Sequence, residues 1–319
     1  MSTADGLAIR PDEWISVLTR EYLDGFVPAG GALVRVAVCP SPEEAAGLGE
    51  RVRVAGVERG FVVAHVDAAV CRAHLVDRLV AEVARQVPWD ELAAGLLRAA
   101  LRRRGYDLPE DGRLDTGALA ERRDLDERLV LQEVRELLTR EIMQDYALCR
   151  EFRLAAVQLC RALLMPDPQQ QERAERVKAW LRQELPRIGL LRDTFIFQAV
   201  NRHNARAIFN SAATFIRKAG RPGLLVTLDI SRYAVAAPPD EGPRYSRSAA
   251  MDMYESVRQF IDETDDVTGC LLVVLTVREF LDDDRRGLRA YPALQMRLGD
   301  DVRGGNRPNP LAPMLRVRG

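Results

Sequence analysis

The chain has 319 residues, of which 47% are hydrophobic and 29% charged, a composition typical of globular rather than disordered proteins. Its formal net charge is −1, with 46 basic residues against 47 acidic ones, so the total charge gives no support for binding to nucleic acid or anionic lipid. The five cysteines stand apart in apolar runs, which favours buried, reduced thiols over disulfides or a metal centre.

Several classes of protein are excluded by missing patterns. No N-terminal stretch resembles a signal peptide, and no apolar run approaches the roughly 18 residues of a membrane span, so we expect a cytoplasmic protein without membrane contacts. Three scattered histidines give no metal-ligand spacing, and we propose no metal site. We also predict no catalytic residue, because candidate nucleophiles lack a base at motif spacing, namely Cys39, Ser211 and Ser231.

The predicted elements alternate between strands and helices. A helix opens at Pro11 and ends near Gly25, and apolar strands follow at 33–38 and 60–66. Helical patterns then run to residue 218, at 71–86, 89–104, 115–121, 125–165, 169–185 and 193–218. Continuous apolar strands return at 223–229 and 270–276, with a helix at 248–264 between them and a short strand or tail at 314–318.

This order predicts an α/β fold, an open parallel sheet like that of P-loop NTPases, interrupted by a large helical insert. The predicted domains are an N-terminal helical arm (1–30), a first part of the α/β domain (31–88), the insert (89–190) and a second part of the α/β domain (191–319).

The turn after the first long strand stands where a phosphate-binding P-loop would lie, between a strand and a helix. Such a loop needs consecutive backbone N–H groups, a lysine and a hydroxyl, whereas Pro40 and Pro42 lack an N–H and no lysine is near. The residues instead predict a helix start, with Ser41 as N-cap and Glu44 completing a capping box. We interpret the turn as a degenerate phosphate site.

The strand that ends at Asp229 has the form of a Walker B strand, whose aspartate holds Mg²⁺. ATP-hydrolysing proteins of this class usually have glutamate next, where this chain has Ile230. An aspartate at a strand end caps the following turn about as often as it binds metal. We expect no cofactor, with ATP and Mg²⁺ as the open alternative.

Two arginines, Arg202 and Arg206, lie four residues apart within the helix predicted at 193–218. On one helix face they could clamp an anion or a partner's carboxylate, with His203 at the edge. The alternative, which we favour, is a polar seam that ties the insert to the sheet. Arg202, Arg206 and Asp229 are the candidate cofactor-binding residues.

The segment after the strand at 270–276 is dense in charge. It could contact another subunit, as arginines do in ring-shaped ATPases, or close a loop through internal salt bridges. Both interpretations stay open, and the candidate interface residues are Asp282, Arg285, Arg286, Arg289 and Arg297.

Taken together, several segments resemble the AAA-type P-loop ATP-binding proteins of BREX phage-exclusion gene clusters, and most closely a branch with an eroded phosphate loop. The resemblance covers nearly the whole chain, and its segments are 14–38, 60–67, 202–206, 251–262 and, most specifically, 279–294. It implies a P-loop NTPase fold, assembly, and work beside other proteins of one gene cluster. Asp229 matches the family's Walker B aspartate, whereas 39–47 depart from its Walker A loop.

The expected function is that of a catalytically weak or inactive AAA-type ATPase homologue, an assembly or regulatory subunit in phage defence. Its partner would be a protein of the same gene cluster or a second copy. The alternative is an ATP-binding protein or ATP hydrolase with a noncanonical site, in which Arg202, Arg206 and the loop of Arg285 and Arg286 replace the missing lysine. A third hypothesis, unsupported by net charge, places a nucleic-acid surface on the insert.

Overall fold

The computed structural model describes residues 8–106, 108, 114–165, 167–235, 242–299 and 308–318. The chain divides into two compact units, one formed by residues 1–86 with 222–319 and the other by residues 87–221. We call them the sheet unit and the helical unit. The first seven residues of the predicted N-terminal arm lie outside the described residues.

The sheet unit contains one six-stranded sheet in which every strand pair is parallel. The predicted open parallel α/β fold is therefore confirmed, and residues 314–317 form a strand rather than a tail. The strands, in spatial order β1-β6-β2-β5-β4-β3, are β1 (Ala8–Ile9), β6 (Met314–Val317), β2 (Ala32–Cys39), β5 (Cys270–Val277), β4 (Leu224–Asp229) and β3 (Val62–Asp67).

The register brings the carboxyl ends of the central strands to one edge. Cys39 pairs with Val277, and Asp229 is aligned with both Leu275 and Asp67. In open parallel sheets the carboxyl edge is where ligands bind. This edge therefore carries the candidate site.

Helices surround this sheet. The first begins at Pro11, continues as a π-helix and buries Trp14, Leu18 and Leu23 in the same apolar cluster as Leu271 of β5. This part of the predicted arm is thus core. The helices are α1 (Pro11–Leu18, then π-helical Thr19–Phe26), α2 (Pro42–Glu58), α3 (Val76–Gln86), α10 (Ser231–Ala234), α11 (Arg247–Asp262), α12 (Glu279–Asp282) and α13 (Pro292–Leu298).

Two glycines allow α2 to lie directly on the sheet. A Cβ at Gly49 would stand 2.6 Å from Leu275 Cδ1, and one at Gly56 would stand 2.4 Å from Leu225 Cδ2. Both distances are shorter than van der Waals contact, so a Cβ at either position would force a leucine side chain of the sheet to move. These glycines serve packing.

The edge strand β3 is covered by a side chain. Gln86 Oε1 accepts a hydrogen bond from His65 N at 2.8 Å, and Gln86 Nε2 donates to His65 O at 2.7 Å. The side-chain amide thus takes the place of a neighbouring strand and satisfies groups that would otherwise be open at the sheet edge.

The helical unit contains α4 (Trp89–Arg103), α5 (Thr116–Arg123), α6 (Glu127–Leu138), α7 (Arg150–Leu164), α8 (Pro168–Leu181) and α9 (Ala205–Lys218). The single helix predicted at 125–165 is wrong, because α6 ends in a π-helical turn, Thr139–Met143, and α7 begins only at Arg150. Asp145 interrupts the predicted helix. Its Oδ1 accepts a hydrogen bond from Ala147 N at 3.0 Å, and its Oδ2 accepts one from Lys218 Nζ at 2.5 Å.

The helix predicted at 193–218 is also shorter than expected. Residues 188–194 form a 3₁₀-helix, Phe195 has a φ of 61°, and α9 begins only at Ala205. Two asparagine side chains bind backbone amides just before α9. Asn201 Oδ1 accepts a hydrogen bond from His203 N at 2.9 Å, and Asn204 Oδ1 accepts one from Asn201 N at 2.8 Å. Such local bonds compete with helix formation. Throughout the described ranges, the helices are too short or too polar to cross a bilayer.

Candidate functional site

The turn from β2 to α2 is a helix start, as predicted. Ser41 has an extended backbone, its Oγ accepts from Glu44 N at 3.3 Å, and Pro42 is the first helical residue. The carboxylate that meets Ser41 is that of Glu43, however, and not that of Glu44 as a capping box requires. A hydrogen bond from its own backbone amide, followed by one from the Ser41 hydroxyl, lowers the pKa of Glu43.

These contacts occupy the backbone N–H groups that a bound phosphate would need as donors. Pro42 has no N–H, the amide of Glu43 faces its own carboxylate, and Glu44 N and Ala45 N both donate to Ser41, the latter at 3.0 Å. The exposed carboxylates of Glu43 and Glu44 would also repel an anion at this helix end. The residues present do not fit a triphosphate.

Asp229 is buried at the end of β4, with 8% of its surface exposed. Its Oδ1 accepts from Ser231 N at 2.8 Å, the bond of an aspartate that caps its own turn. Burial raises the pKa of Asp229, the adjacent Ser231 lowers it, and the nearby Asp67 carboxylate raises it again. The protein therefore keeps a carboxylate in surroundings that disfavour its charge.

The aligned residues of β3 add polar groups beside Asp229. Asp67 Oδ1 accepts from Ala69 N at 2.6 Å, and His65 Nδ1 lies 2.9 Å from Thr227 Oγ1. Sequence reasoning missed Asp67, although 60–67 show the same apolar strand ending in aspartate that singled out Asp229. Two neighbouring turns at this edge are thus closed by aspartates.

The Cys39 thiol at the end of β2 is inert. Burial, and then the negative charges of Asp229 and Glu44, raise its pKa to about 12. A thiolate nucleophile would need the opposite surroundings. The electrostatic effect of Asp229 on Cys39 also shows that the two turns belong to one region.

Two buried hydroxyls near this edge, Ser231 Oγ and Thr276 Oγ1, lie within hydrogen-bond distance of no partner among the described residues. Because Asp229 is aligned with Leu275, Thr276 lies on the opposite face of the sheet. Leaving such a group unsatisfied costs about 1–3 kcal/mol, so each hydroxyl can still accept a polar contact from outside the chain. Among the described residues, no group of three or more His, Cys, Asp and Glu side chains could hold a metal ion.

The other two candidate cofactor residues lie in the helical unit. Arg202 is exposed, and its Nε contacts His203 Nε2 at 3.2 Å in the turn before α9. Arg206 is in the first turn of α9. The expectation that both stand on one helix face is therefore wrong, because α9 begins only at Ala205 and Arg202 lies in the turn before it.

The charged segment after β5 is organised by one aspartate. Asp283 Oδ1 accepts from Arg285 N at 2.7 Å and from Arg286 N at 2.9 Å. The Arg286 side chain turns inward and donates to Tyr245 O at 3.0 Å. Arg286 thus fixes the loop to its own unit.

The remaining members of the predicted interface are exposed. Arg289 Nη1 lies 3.0 Å from Asp284 Oδ1, and Arg297 Nε lies 3.0 Å from Asp262 Oδ1. Such exposed pairs contribute about 0–1 kcal/mol each and leave the groups accessible to a partner. Asp282 and Arg285 are exposed as well.

In a comparison with protein families, residues 48–319 match a family described as BREX system ATP-binding protein BrxC/D. The chain belongs to this family. The family thus places it in a multiprotein system and associates it with ATP. The matched range begins within α2, after the turn formed by Cys39 and Ser41. Comparisons with curated proteins and with solved structures found no match.

Proposed function

We propose that this chain is a catalytically weak or inactive member of its family and acts as an assembly or regulatory subunit of a cytoplasmic phage-defence complex. The observation that carries the proposal is the start of α2, where proline, Ser41 and Glu43 occupy or remove the groups that would hold phosphate. Ile230 also stands where a catalytic glutamate would follow Asp229. Such a protein contributes its surfaces rather than hydrolysis.

The direct test is thermal unfolding of the full chain with and without millimolar Mg·ATP. A ligand present at 100 times its Kd stabilises the folded state by about 2.7 kcal/mol, which a melting curve resolves. We expect no shift. A clear shift that Asp229→Ala abolishes would contradict the proposal, and a shift that this variant retains would place ATP away from the strand end.

The interface part of the proposal rests on the exposed charges after β5. Arginines there can make bidentate contacts with a partner's carboxylates that lysine cannot reproduce. Leaving a buried interface charge unpaired costs about 2–5 kcal/mol. Arg285→Ala should therefore weaken the complex with a co-expressed protein of the same gene cluster, or with a second copy.

Light scattering and co-purification measure this association. Arg286→Ala is the informative comparison, because that side chain holds Tyr245 within the same chain and its loss should lower the melting temperature instead. A wild-type chain that stays monomeric in every mixture would remove the basis for an interface at Asp282, Arg285, Arg289 and Arg297.

The alternative function is ATP binding at a noncanonical site, and the orphaned Ser231 hydroxyl beside Asp229 is the observation that favours it. Asp229 and Ser231 would be the residues to hold Mg²⁺, which would neutralise the carboxylate's charge and bridge to phosphate oxygens. In this case Ser231→Ala should weaken Mg·ATP binding while leaving the melting temperature of the free protein unchanged or higher. Calorimetric titration with Mg·ATP separates the two functions.

A further inference from the structure

Two phenylalanines in the helical unit face solvent. Phe195 is 63% exposed and Phe197 is 57% exposed, whereas Ile196 between them is fully buried. Ile196 anchors the segment in the interior, and the rings on either side of it are exposed to solvent. The segment presents a pair of aromatic faces.

The conformation of Phe195 is unfavourable for a residue with a large side chain. Its φ of 61° lies in the left-handed region, where glycine is at ease and a bulky residue is strained by about 1–2 kcal/mol. Packing of the ring offsets little of this strain energy, because most of the ring is exposed to water. The strained backbone and the exposed rings do not stabilise the fold. We therefore infer that they serve a contact with another molecule.

The segment is also held in place from α8. Trp180 Nε1 donates to Gln198 O at 2.8 Å, and Gln183 Nε2 donates to Val200 O at 3.0 Å. Arg173 Nε binds Asp193 Oδ2 at 2.7 Å. The two rings are therefore preorganised, which lowers the entropy lost on binding.

The chain segment that carries these rings is rich in basic residues, in contrast to the balance of the whole chain. Residues 182–221 contain eight basic side chains and two acidic ones, Glu184 and Asp193. Asp193 is already bound by Arg173. Within the described part of the chain, three exposed arginines here have no carboxylate partner, namely Arg187, Arg192 and Arg202.

A second group of arginines is linked to the phenylalanine segment through Arg173. Arg161 is half-buried, has no carboxylate partner within the described residues, and lies near Arg135 and Arg173. Burial and these two like charges lower its pKa. Arg173 connects the group to Asp193, two residues before Phe195. Nearby lies a pocket of about 350 Å³ lined by Arg135, Glu136, Thr139, Arg140 and Gln144.

We propose that this surface binds single-stranded nucleic acid, with bases stacked on the phenylalanines and phosphates held by the arginines. We call it the arginine–phenylalanine surface and define it as Arg135, Arg140, Arg161, Arg192, Phe195 and Phe197. Aromatic platforms beside a basic track are the usual means of binding single strands without sequence preference. A duplex fits less well, because its bases are stacked inside and cannot reach the rings.

The experiment is fluorescence anisotropy of the full-length protein with a labelled single-stranded DNA 20-mer of mixed sequence, over a series of salt concentrations. We expect a Kd of about 1–100 μM at physiological salt, falling affinity as salt increases, and weaker binding to the same sequence as a duplex. Arg135→Gln with Arg161→Gln should reduce the slope of log K against log[salt] by about 1.4, or 0.7 for each phosphate contact.

Two aromatic variants separate stacking from general apolar contact. Phe195→Ala with Phe197→Ala should weaken binding at least about fivefold, the lower limit for one stacked base. Phe195→Leu with Phe197→Leu keeps apolar area but removes the aromatic faces, and it should weaken binding similarly. Matched controls are Tyr146→Ala, an exposed aromatic residue elsewhere in the same unit, and Arg20→Gln in the sheet unit.

Folding does not confound the test, because Phe195→Gly relieves the left-handed strain and should raise the melting temperature while it lowers affinity. No saturable binding by the wild type, or unchanged affinity in both aromatic variants, would overturn the proposal. Equal affinity for polyglutamate and for the single strand would also overturn it, because the surface would then serve an acidic protein.

Discussion

The polar groups at the ends of β2 and β4, which lie at the same edge of the sheet, differ in their hydrogen bonding. At the end of β2, acceptors within the turn bind the first amides of the helix, those of Glu43, Glu44 and Ala45. At the end of β4, Asp229 is buried with a raised pKa, and the Ser231 hydroxyl beside it makes no hydrogen bond within the described part of the chain. One junction is closed and the other keeps an unsatisfied polar group.

The two strand ends therefore differ in the groups that they offer to a ligand. The amides at the turn after β2 are engaged within the chain, whereas the turn after β4 holds a buried aspartate whose charge is disfavoured there. A buried carboxylate that serves only to cap a turn could be replaced by asparagine without loss. Stability alone therefore does not explain why position 229 holds an aspartate.

The largest expected effect tests whether α2 is built for packing. Gly49→Ala would place a Cβ 2.6 Å from Leu275 Cδ1, and overpacking of this kind costs about 1–3 kcal/mol. Gly47→Ala is the matched control, because its Cβ would meet no atom within 4 Å, and there the gain in helix propensity should stabilise by about 0.5–1 kcal/mol. Urea denaturation of both variants measures the contrast.

Equal destabilisation by the two substitutions would break the comparison. It would mean that the glycines near the start of α2 are needed for something other than the approach of the helix to β5, such as the path of a bound ligand.

A smaller effect is expected at the closed junction. Ser41→Ala removes the acceptor for Glu44 N, and loss of an N-cap costs about 1 kcal/mol. Ser41→Asp is the control, because aspartate also caps helices and should preserve stability. Unchanged stability in Ser41→Ala, together with loss of partner binding, would show that Ser41 belongs to a ligand site and not to a cap.

The smallest effect is expected at the open junction. Asn can still accept from Ser231 N, so Asp229→Asn removes only the disfavoured charge and should stabilise by about 0.5–1 kcal/mol at pH 7. The folded-state pKa of Asp229 is raised, so the wild type loses stability as pH rises from the unfolded value of about 3.8 through the folded one. The advantage of the variant should therefore vanish near pH 3.

Denaturant midpoints at pH 3 and pH 7 measure this difference. Asp67→Asn is the matched control, since Asp67 also caps its own turn but is only half-buried, and its effect at both pH values should stay within about 0.5 kcal/mol. A variant at Asp229 that is less stable than the wild type at pH 7 would show that the charge itself stabilises the fold.

Much of the fold was readable from the sequence, because buried parallel strands are continuous apolar runs and their signal is local. The strands at 33–38, 60–66, 223–229 and 270–276 were each found to within two residues, and so was the start of α2. The two-residue strand β1 was missed, since it is too short to show a period. The long helices predicted at 125–165 and 193–218 failed because Asp145, Asn201 and Asn204 bind nearby groups in preference to continuing a helix.

The properties of the candidate site also fall into those that the sequence specifies and those that it does not. The sequence by itself determined that the turn after β2 lacks backbone N–H groups at Pro40 and Pro42 in any conformation, and that Ser41 would cap α2. Only the tertiary structure decided that Asp229 is buried beside Asp67, that Arg286 turns inward to Tyr245, and that Phe195 stands strained and exposed. Those properties depend on strand register and on packing between segments far apart in the chain, which no local pattern of residues specifies.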